Sequence, residues 1–436
     1  MGTMTVGVMG IIALLILLFL GVHVSVTMLL VGAAGFGMLA GAPAAIGLIK
    51  SVFYSTVTTY TITVIPLFIL MGQFIYYAGV SGNLYKSAYT WLGRMPGGLA
   101  VSTIAACGAF AALCGSSAAT AATFGTVSLP EMTKKYNYDR GYACASIVAG
   151  GTLGILIPPS NTFIWYGLIT EQSIAKLFAA GFGAGILLMI CYMAVAVVQA
   201  RLKPSWAPAT VNKTTWKEKF ASLPGSLPAF LLFLVVIGGI FLGVFSPNEG
   251  AAIGAFGGFL CLVFTRKLSV KIVMDCLRTT VESVGMIVFI LACTKVFGSF
   301  LAITRIPINM AGFVSDMNAN RYVILLVFVV IYLFLGMIMD ALPMVLLTIP
   351  IFFPIMRSLG FDPIWYGVIT VMCAEMGQIT PPVGLNLFVI KGIAPDVPMA
   401  DIITRALPYV IAIFIAMIVI TIFPNIALFL PRFLYG

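Results

Sequence analysis

The sequence predicts an all-α polytopic membrane protein, an inverted-topology repeat in which each half has five spans, a re-entrant hairpin and a Pro-Pro broken helix. Three observations predict it. The 436-residue chain is 61% hydrophobic and only 8% charged, whereas a soluble domain carries about 25% charged residues. Its apolar segments form two sets of six in the same order. A Pro-Pro pair stands in the middle of an apolar stretch twice, in GILIPPSNTFIW (Gly154 to Trp165) and GQITPPVGLNLF (Gly377 to Phe388).

The first set of segments spans 4–20, 24–40, 57–79, 97–130, 142–170 and 177–200; the second spans 226–245, 249–264, 272–301, 321–357, 363–393 and 406–430. Met4 to Leu20 lacks a basic leader region and runs at once into another apolar span, so it is read as a retained membrane helix rather than a signal peptide. Between the sets, Arg201, Lys203, Lys213, Lys217 and Lys219 mark 201–224 as a cytoplasmic linker, with the first repeat at 1–200 and the second at 225–436. The eight cysteines are scattered through apolar segments with no C-x-x-C pair, and read as small buried hydrophobes.

Proline lacks the amide donor and clashes with the preceding turn, so a helix breaks at Pro158/Pro159 and again at Pro381/Pro382. In hydrocarbon such a break survives only where protein or a water-filled cavity shelters it. The two breaks are in register: Asp139 meets Asp362, Gly154 meets Gly377 and each proline meets its counterpart at one constant offset. Upstream of each break an apolar tract is interrupted, by Cys114 to Ser117 in 97–130 and by Gly336 to Pro343 in 321–357. Arms near or below the spanning length of about 17–25 residues predict two re-entrant hairpins. Each half then crosses five times, and an odd number inverts the second half.

Charge sets the orientation. With the N-terminus external, which is periplasmic if the membrane is a bacterial inner one, Lys86, Arg94, Lys134, Lys135, Arg140, the linker cations, Arg266, Lys267, Lys271, Arg278, Lys391 and Arg405 fall inside; Lys50, Lys176, Arg305, Arg321, Arg357 and Arg432 fall outside, and Lys295 lies within a span. This obeys the positive-inside rule.

In each half a small, polar hairpin tip can meet a broken helix near the midplane. Half-helix C-termini offer carbonyls to a cation such as Na+, and half-helix N-termini offer amides to a carboxylate. The first expected Na+/substrate site combines Gly115, Ser116, Ser117 and Thr120 with Ile157, Ser160 and Asn161; the second combines Gly336, Asp340 and Ala341 with Thr380, Gly384 and Asn386. Small residues also pack membrane helices, which is the competing reading of the same positions. Asp340 suits cation coordination or tip capping, and Glu375 either lines the cavity or makes a structural hydrogen bond. Glu282 and Lys295, thirteen residues apart on one helix, are too far apart to pair. His23, the single histidine, reads as a packed interfacial residue.

No H-E-x-x-H, Walker A or acid-rich diphosphate motif occurs, so no enzyme and no cofactor is expected, and uphill transport must draw on an ion gradient. The strings VIPLFILMG (Val64 to Gly72), CGSSAAT (Cys114 to Thr120), GTLGILIPPS (Gly151 to Ser160), YGLITEQSIAKLFAAG (Tyr166 to Gly181), GMIMDALP (Gly336 to Pro343) and GQITPPVGLNLFV (Gly377 to Val389) occur in this order. With them the chain resembles, over essentially its whole length, the large membrane subunit of TRAP transporters, the tripartite ATP-independent periplasmic family. The resemblance implies Na+-coupled uptake of organic anions, often dicarboxylates, sialic acid or other sugar acids, across the bacterial inner membrane. It implies a periplasmic substrate-binding protein and a small four-helix membrane subunit, expected here as a separate chain. It also implies an elevator motion, with transport-domain parts at about 97–170 and 321–393 and a scaffold made by the remainder. A stand-alone Na+/carboxylate carrier of the same superfamily and a passive channel or scaffold are the alternatives.

Overall fold

The computed structural model describes residues 2–208, 214–316 and 319–436, so Lys213 of the expected linker lies outside them. Among the described residues the chain is helical with no strand, as hydrocarbon demands, because a helix pairs its own backbone groups where water is absent.

Helices α1 (Thr3–Phe19) and α2 (Val24–Ala40) form where the apolar runs predict them. Helix α3 (Ala42–Thr58) has no such run: it starts after Gly41, held at φ 92°, and its Lys50, Ser51 and Tyr54 break the hydrophobic pattern. Helix α4 (Val64–Ala78) stops at Gly79 in the left-handed region, and α5 (Val80–Leu92) follows directly. The sequence pattern also misses α5, because its amphipathic face carries Asn83 and Lys86.

Helices α6 (Gly98–Cys114) and α7 (Ser117–Pro130) meet at a two-residue tip, and α8 (Arg140–Thr152) and α9 (Asn161–Thr170) flank the first Pro-Pro pair. Helix α10 (Ile174–Leu202) then runs 29 residues to the linker. Within and after the linker come α11 (Trp216–Ser222), α12 (Leu227–Phe233), a π-turn, α13 (Gly239–Phe241), α14 (Pro247–Phe264), α15 (Val270–Thr304) and α16 (Ile306–Asp316). Helices α17 (Arg321–Ile338) and α18 (Ala341–Ser358) meet at the second tip, and α19 (Pro363–Gln378) and α20 (Leu385–Ile393) flank the second Pro-Pro pair. The chain closes with α21 (Met399–Ile422) and α22 (Asn425–Tyr435).

Among the described residues seven helices are long and apolar enough to cross a membrane, or eight if the bent α11–α13 pair counts as one. Both α17 and α18 are among the seven, at 18 residues each. At that length the arms of the second pair stand at the lower end of the spanning length of about 17–25 residues.

Corresponding positions do corresponding work. Asp139 caps α8 by accepting from the Tyr142 amide at 2.8 Å, and Asp362 caps α19 by accepting from the Ile364 and Trp365 amides at 2.8 and 3.0 Å. Such caps satisfy amides that the first turn leaves without a partner. The halves are also tied together. The Tyr166 hydroxyl donates to the Pro363 carbonyl at 2.6 Å, Arg405 pairs with Asp139 at 2.8 Å, and Arg140 pairs with Asp396.

Candidate functional site

Each broken helix rests against the hairpin of its own half by backbone contact. Gly115 forms the first tip at φ 64°, and a Cβ there would lie 2.7 Å from the Pro159 carbonyl oxygen. Gly154, one turn before the proline pair, abuts the same tip: a Cβ on it would lie 2.9 Å from the Ser117 Cα. In the second half a Cβ on Gly377 would lie 2.9 Å from the Gly336 carbonyl oxygen, and one on Gly336 would lie 3.0 Å from the Gly377 Cα. Any larger residue would push tip and break apart.

Several predicted ligands spend their side chains on local structure. Ser116 caps α7, accepting from the Ala119 amide at 3.4 Å, and Thr120 donates back to the Ser116 carbonyl at 2.7 Å. Ser160 caps α9 through the Phe163 amide at 3.3 Å and donates to the Ile155 carbonyl. The Ile157 amide donates to the Leu153 carbonyl at 3.1 Å, and the Asn161 side chain stands beside Gly115. In the second half Asp340 caps α18 by accepting from the Ala341 amide at 2.7 Å, and Thr380 donates to the Met376 carbonyl at 2.5 Å. Gly384 sits at φ 55°, and a Cβ there would lie 3.0 Å from the Thr380 carbonyl oxygen and 3.1 Å from that of Gln378.

Ser117 and Asn386 depart from the sequence-based grouping. Asn386, expected in the second site, donates its amide to the Ser117 hydroxyl of the first tip at 2.8 Å, and Ser117 in turn donates to Glu375 at 3.4 Å. All three side chains are buried. The first tip therefore touches the second broken helix on both sides of its break. No linear pattern reveals a contact 269 residues long in sequence. Glu375, which the sequence places either at the cavity or in a structural hydrogen bond but in neither expected ligand set, lies at this contact, and a carboxyl group in so apolar a run is the signal that points to it.

Unpartnered oxygen atoms gather here. Glu375 Oε1, Gln378 Oε1 and Asn386 Oδ1 are buried without a hydrogen-bond partner. Glu375 and Gln378 are three residues apart on α19, hence on one face. Acceptors without donors suit a hard cation, which binds through oxygen ligands alone. The tip of α7 and the start of α20 bring helix N-termini, which favour an anion, to the same place. Among the described residues no group of three or more His, Cys, Asp and Glu forms a metal cluster.

Two kinds of likeness bear on this arrangement. A solved structure from Alcanivorax borkumensis, the YdaH transporter, shares the fold at a TM-score of 0.63 and 14% identity, with 90% of this chain and 88% of that one covered. Among curated proteins, the C4-dicarboxylate TRAP transporter large permease protein DctM of Pseudomonas aeruginosa is 36% identical over 385 residues, covering 87% of this chain and 88% of the relative. The sialic acid TRAP transporter large permease protein SiaM of Vibrio cholerae is 29% identical, covering 87% and 88%. The sequence profile described as "Tripartite ATP-independent periplasmic transporter, DctM component" matches residues 11–426. With hairpin tips against broken helices and that match over nearly its whole length, this chain belongs to the DctM family of multi-pass TRAP transporter large permeases.

Proposed function

We propose that this chain is the membrane carrier of Na+-coupled uptake of an organic anion, a dicarboxylate, sialic acid or another sugar acid. A periplasmic binding protein delivers the substrate, and a small four-helix membrane subunit of the TRAP type completes the assembly. The observation that carries this reading is the junction of Ser117, Glu375 and Asn386, where buried oxygens lack donors beside two helix N-termini. Na+ seats among the oxygens, and the substrate carboxylate takes the amides at the half-helix starts. The charge asymmetry of the loops supports an inner-membrane orientation with the N-terminus periplasmic.

Coupling follows from proximity. A cation held by the tip and the break together stabilises the arrangement whose amides bind the anion, so each ligand raises the affinity for the other. An elevator movement of 97–170 and 321–393 against the remaining helices then carries both across.

The test is uptake of labelled organic acids into proteoliposomes holding this chain, a small subunit and a binding protein, with and without an inward Na+ gradient. Accumulation that needs both the gradient and the binding protein, and that falls in Ser117→Ala, is the expected result. Accumulation without the binding protein would identify a stand-alone carrier, and equilibration without the gradient would eliminate coupling.

A further inference from the structure

Away from the tips, helices α17 and α21 both pack on α19: the Tyr332 hydroxyl lies 3.2 Å from that of Tyr366, and Cys373 Sγ lies 3.8 Å from Met417 Sδ. Between α17 and α21 themselves a gap remains, an apolar groove of about 630 Å³ lined by residues of those two helices alone, Leu325, Val329, Phe414 and Ile418 among them. At its end lies a polar cavity of about 180 Å³ with Arg321, Asp362 and Arg432 in its wall. Tyr322 and Thr421 line both, so groove and cavity meet at these two side chains.

The charges of this cavity do not cancel. Arg321 and Arg432 stand against one carboxylate, Asp362, whose Oδ1 is spent on the Ile364 and Trp365 amides. Among the described residues neither arginine forms an ion pair. A guanidinium has five N–H donors; Arg321 gives a hydrogen bond to the Tyr322 hydroxyl at 3.0 Å and Arg432 gives one to Asn425 Oδ1 at 2.9 Å, so both keep donors to spare. The surroundings are those of the headgroup level of a bilayer, where cationic and aromatic side chains gather at the ends of apolar helices. The Arg321 guanidinium lies over the Tyr322 and Phe361 rings at 5.0 and 5.4 Å, Phe361 stacks on Trp365 at 5.1 Å, and on α22 Phe429 and Phe433 are 65% and 74% exposed.

We infer that one phospholipid lies along this seam, with an acyl chain in the groove between α17 and α21 and its phosphodiester against Arg321 and Arg432. An unfilled gap beside packed helices forfeits dispersion contacts, and in hydrocarbon an acyl chain fills it. The arginines select a phospholipid over a helix of another chain. A spanning helix pairs its backbone groups within itself and brings no anion to the end of the groove, whereas a phosphodiester accepts the forked N–H donors of a guanidinium. A free anion would leave the groove unfilled. The site stands apart from the junction of Ser117, Glu375 and Asn386 and does not depend on what the protein carries.

Native mass spectrometry of the purified full chain, delipidated and then titrated with phosphatidylglycerol, tests this. The expected result is one retained lipid per chain, with affinity lowered about thirtyfold in the double variant Arg321→Ala, Arg432→Ala. Ile418→Trp, which fills the groove from an exposed position, should abolish retention. Both arginines are exposed, so their replacement keeps the test valid if Ile418→Trp does not fold. Wild-type retention in the folded arginine variant would overturn the inference. So would displacement of the lipid by inorganic phosphate alone, or a dimer mass that excludes lipid, which would give the groove to a second chain.

Discussion

At the scale of residues, Glu375 separates structure from chemistry. Its link to Ser117 is long at 3.4 Å, while the link from Asn386 to Ser117 is short at 2.8 Å. A net hydrogen bond contributes about 0.5–1.5 kcal/mol, so Glu375→Gln, which keeps a carbonyl oxygen for Ser117, should shift thermal unfolding by no more than about 1 kcal/mol. Its effect on cation binding should be large, because it removes the carboxyl group from the Ser117–Glu375–Asn386 junction. Wild type should melt at a higher temperature in Na+ than in K+, since a ligand at a hundred times its dissociation constant adds about 2.7 kcal/mol. Glu375→Gln should lose that increment. A variant that keeps the full Na+ increment would show that Glu375 is not a ligand. The carboxyl group was visible in the sequence as a charge in an apolar run, but its partners were not, because Ser117 and Asn386 meet only after the halves pack. Ser116, Thr120 and Ser160 were visible for a related reason: each stands at a break, where hydroxyls are useful both to a site and to a cap.

At the scale of elements, the breaks and tips were legible because proline and glycine act on their own backbone, independently of the fold. Glycine also marks a contact that spacing alone does not disclose, since Gly154 and Gly377 bring their helices against the hairpin tips. Gly154→Ala and Gly377→Ala should therefore fold and reach the membrane yet lose most transport, because a Cβ at either position displaces a tip from its break. Gly47, in α3 with nothing within 4 Å of an added Cβ, is the control: alanine there should leave uptake unchanged and stabilise the helix by up to about 1 kcal/mol. Uptake at the wild-type rate in both tip variants would show that the close approach is packing without consequence for transport. Helices α3, α5, α11 and α16 stayed hidden for a different reason. They are short or amphipathic, so they do not register as continuous apolar runs, and tertiary packing rather than hydropathy holds them in place.

At the scale of the whole molecule, the elevator proposal requires the first hairpin to slide past the helices outside 97–170. Its tip lies against α4, where a Cβ on Gly72 would be 3.3 Å from the Cα of Cys114, a half-buried free cysteine at the end of α6. A Cβ on Gly72 stands against the backbone of Cys114, and disulfides need Cβ atoms about 3.5–4.5 Å apart, so Gly72→Cys puts a second thiol next to the residue that carries a native one, and oxidation of the purified variant shows first whether the pair bonds. The other seven cysteines are free as well, and six of them are buried, which favours this pair under a mild oxidant. If α6 travels relative to α4, oxidation of Gly72→Cys proteoliposomes should stop Na+-driven uptake and a reductant should restore it, while the same oxidant leaves wild type active. Crosslinked protein that still accumulates substrate at the reduced rate would mean that hairpin and α4 move as one body. The boundary between mobile and fixed parts would then fall elsewhere, with α4 joining the moving unit.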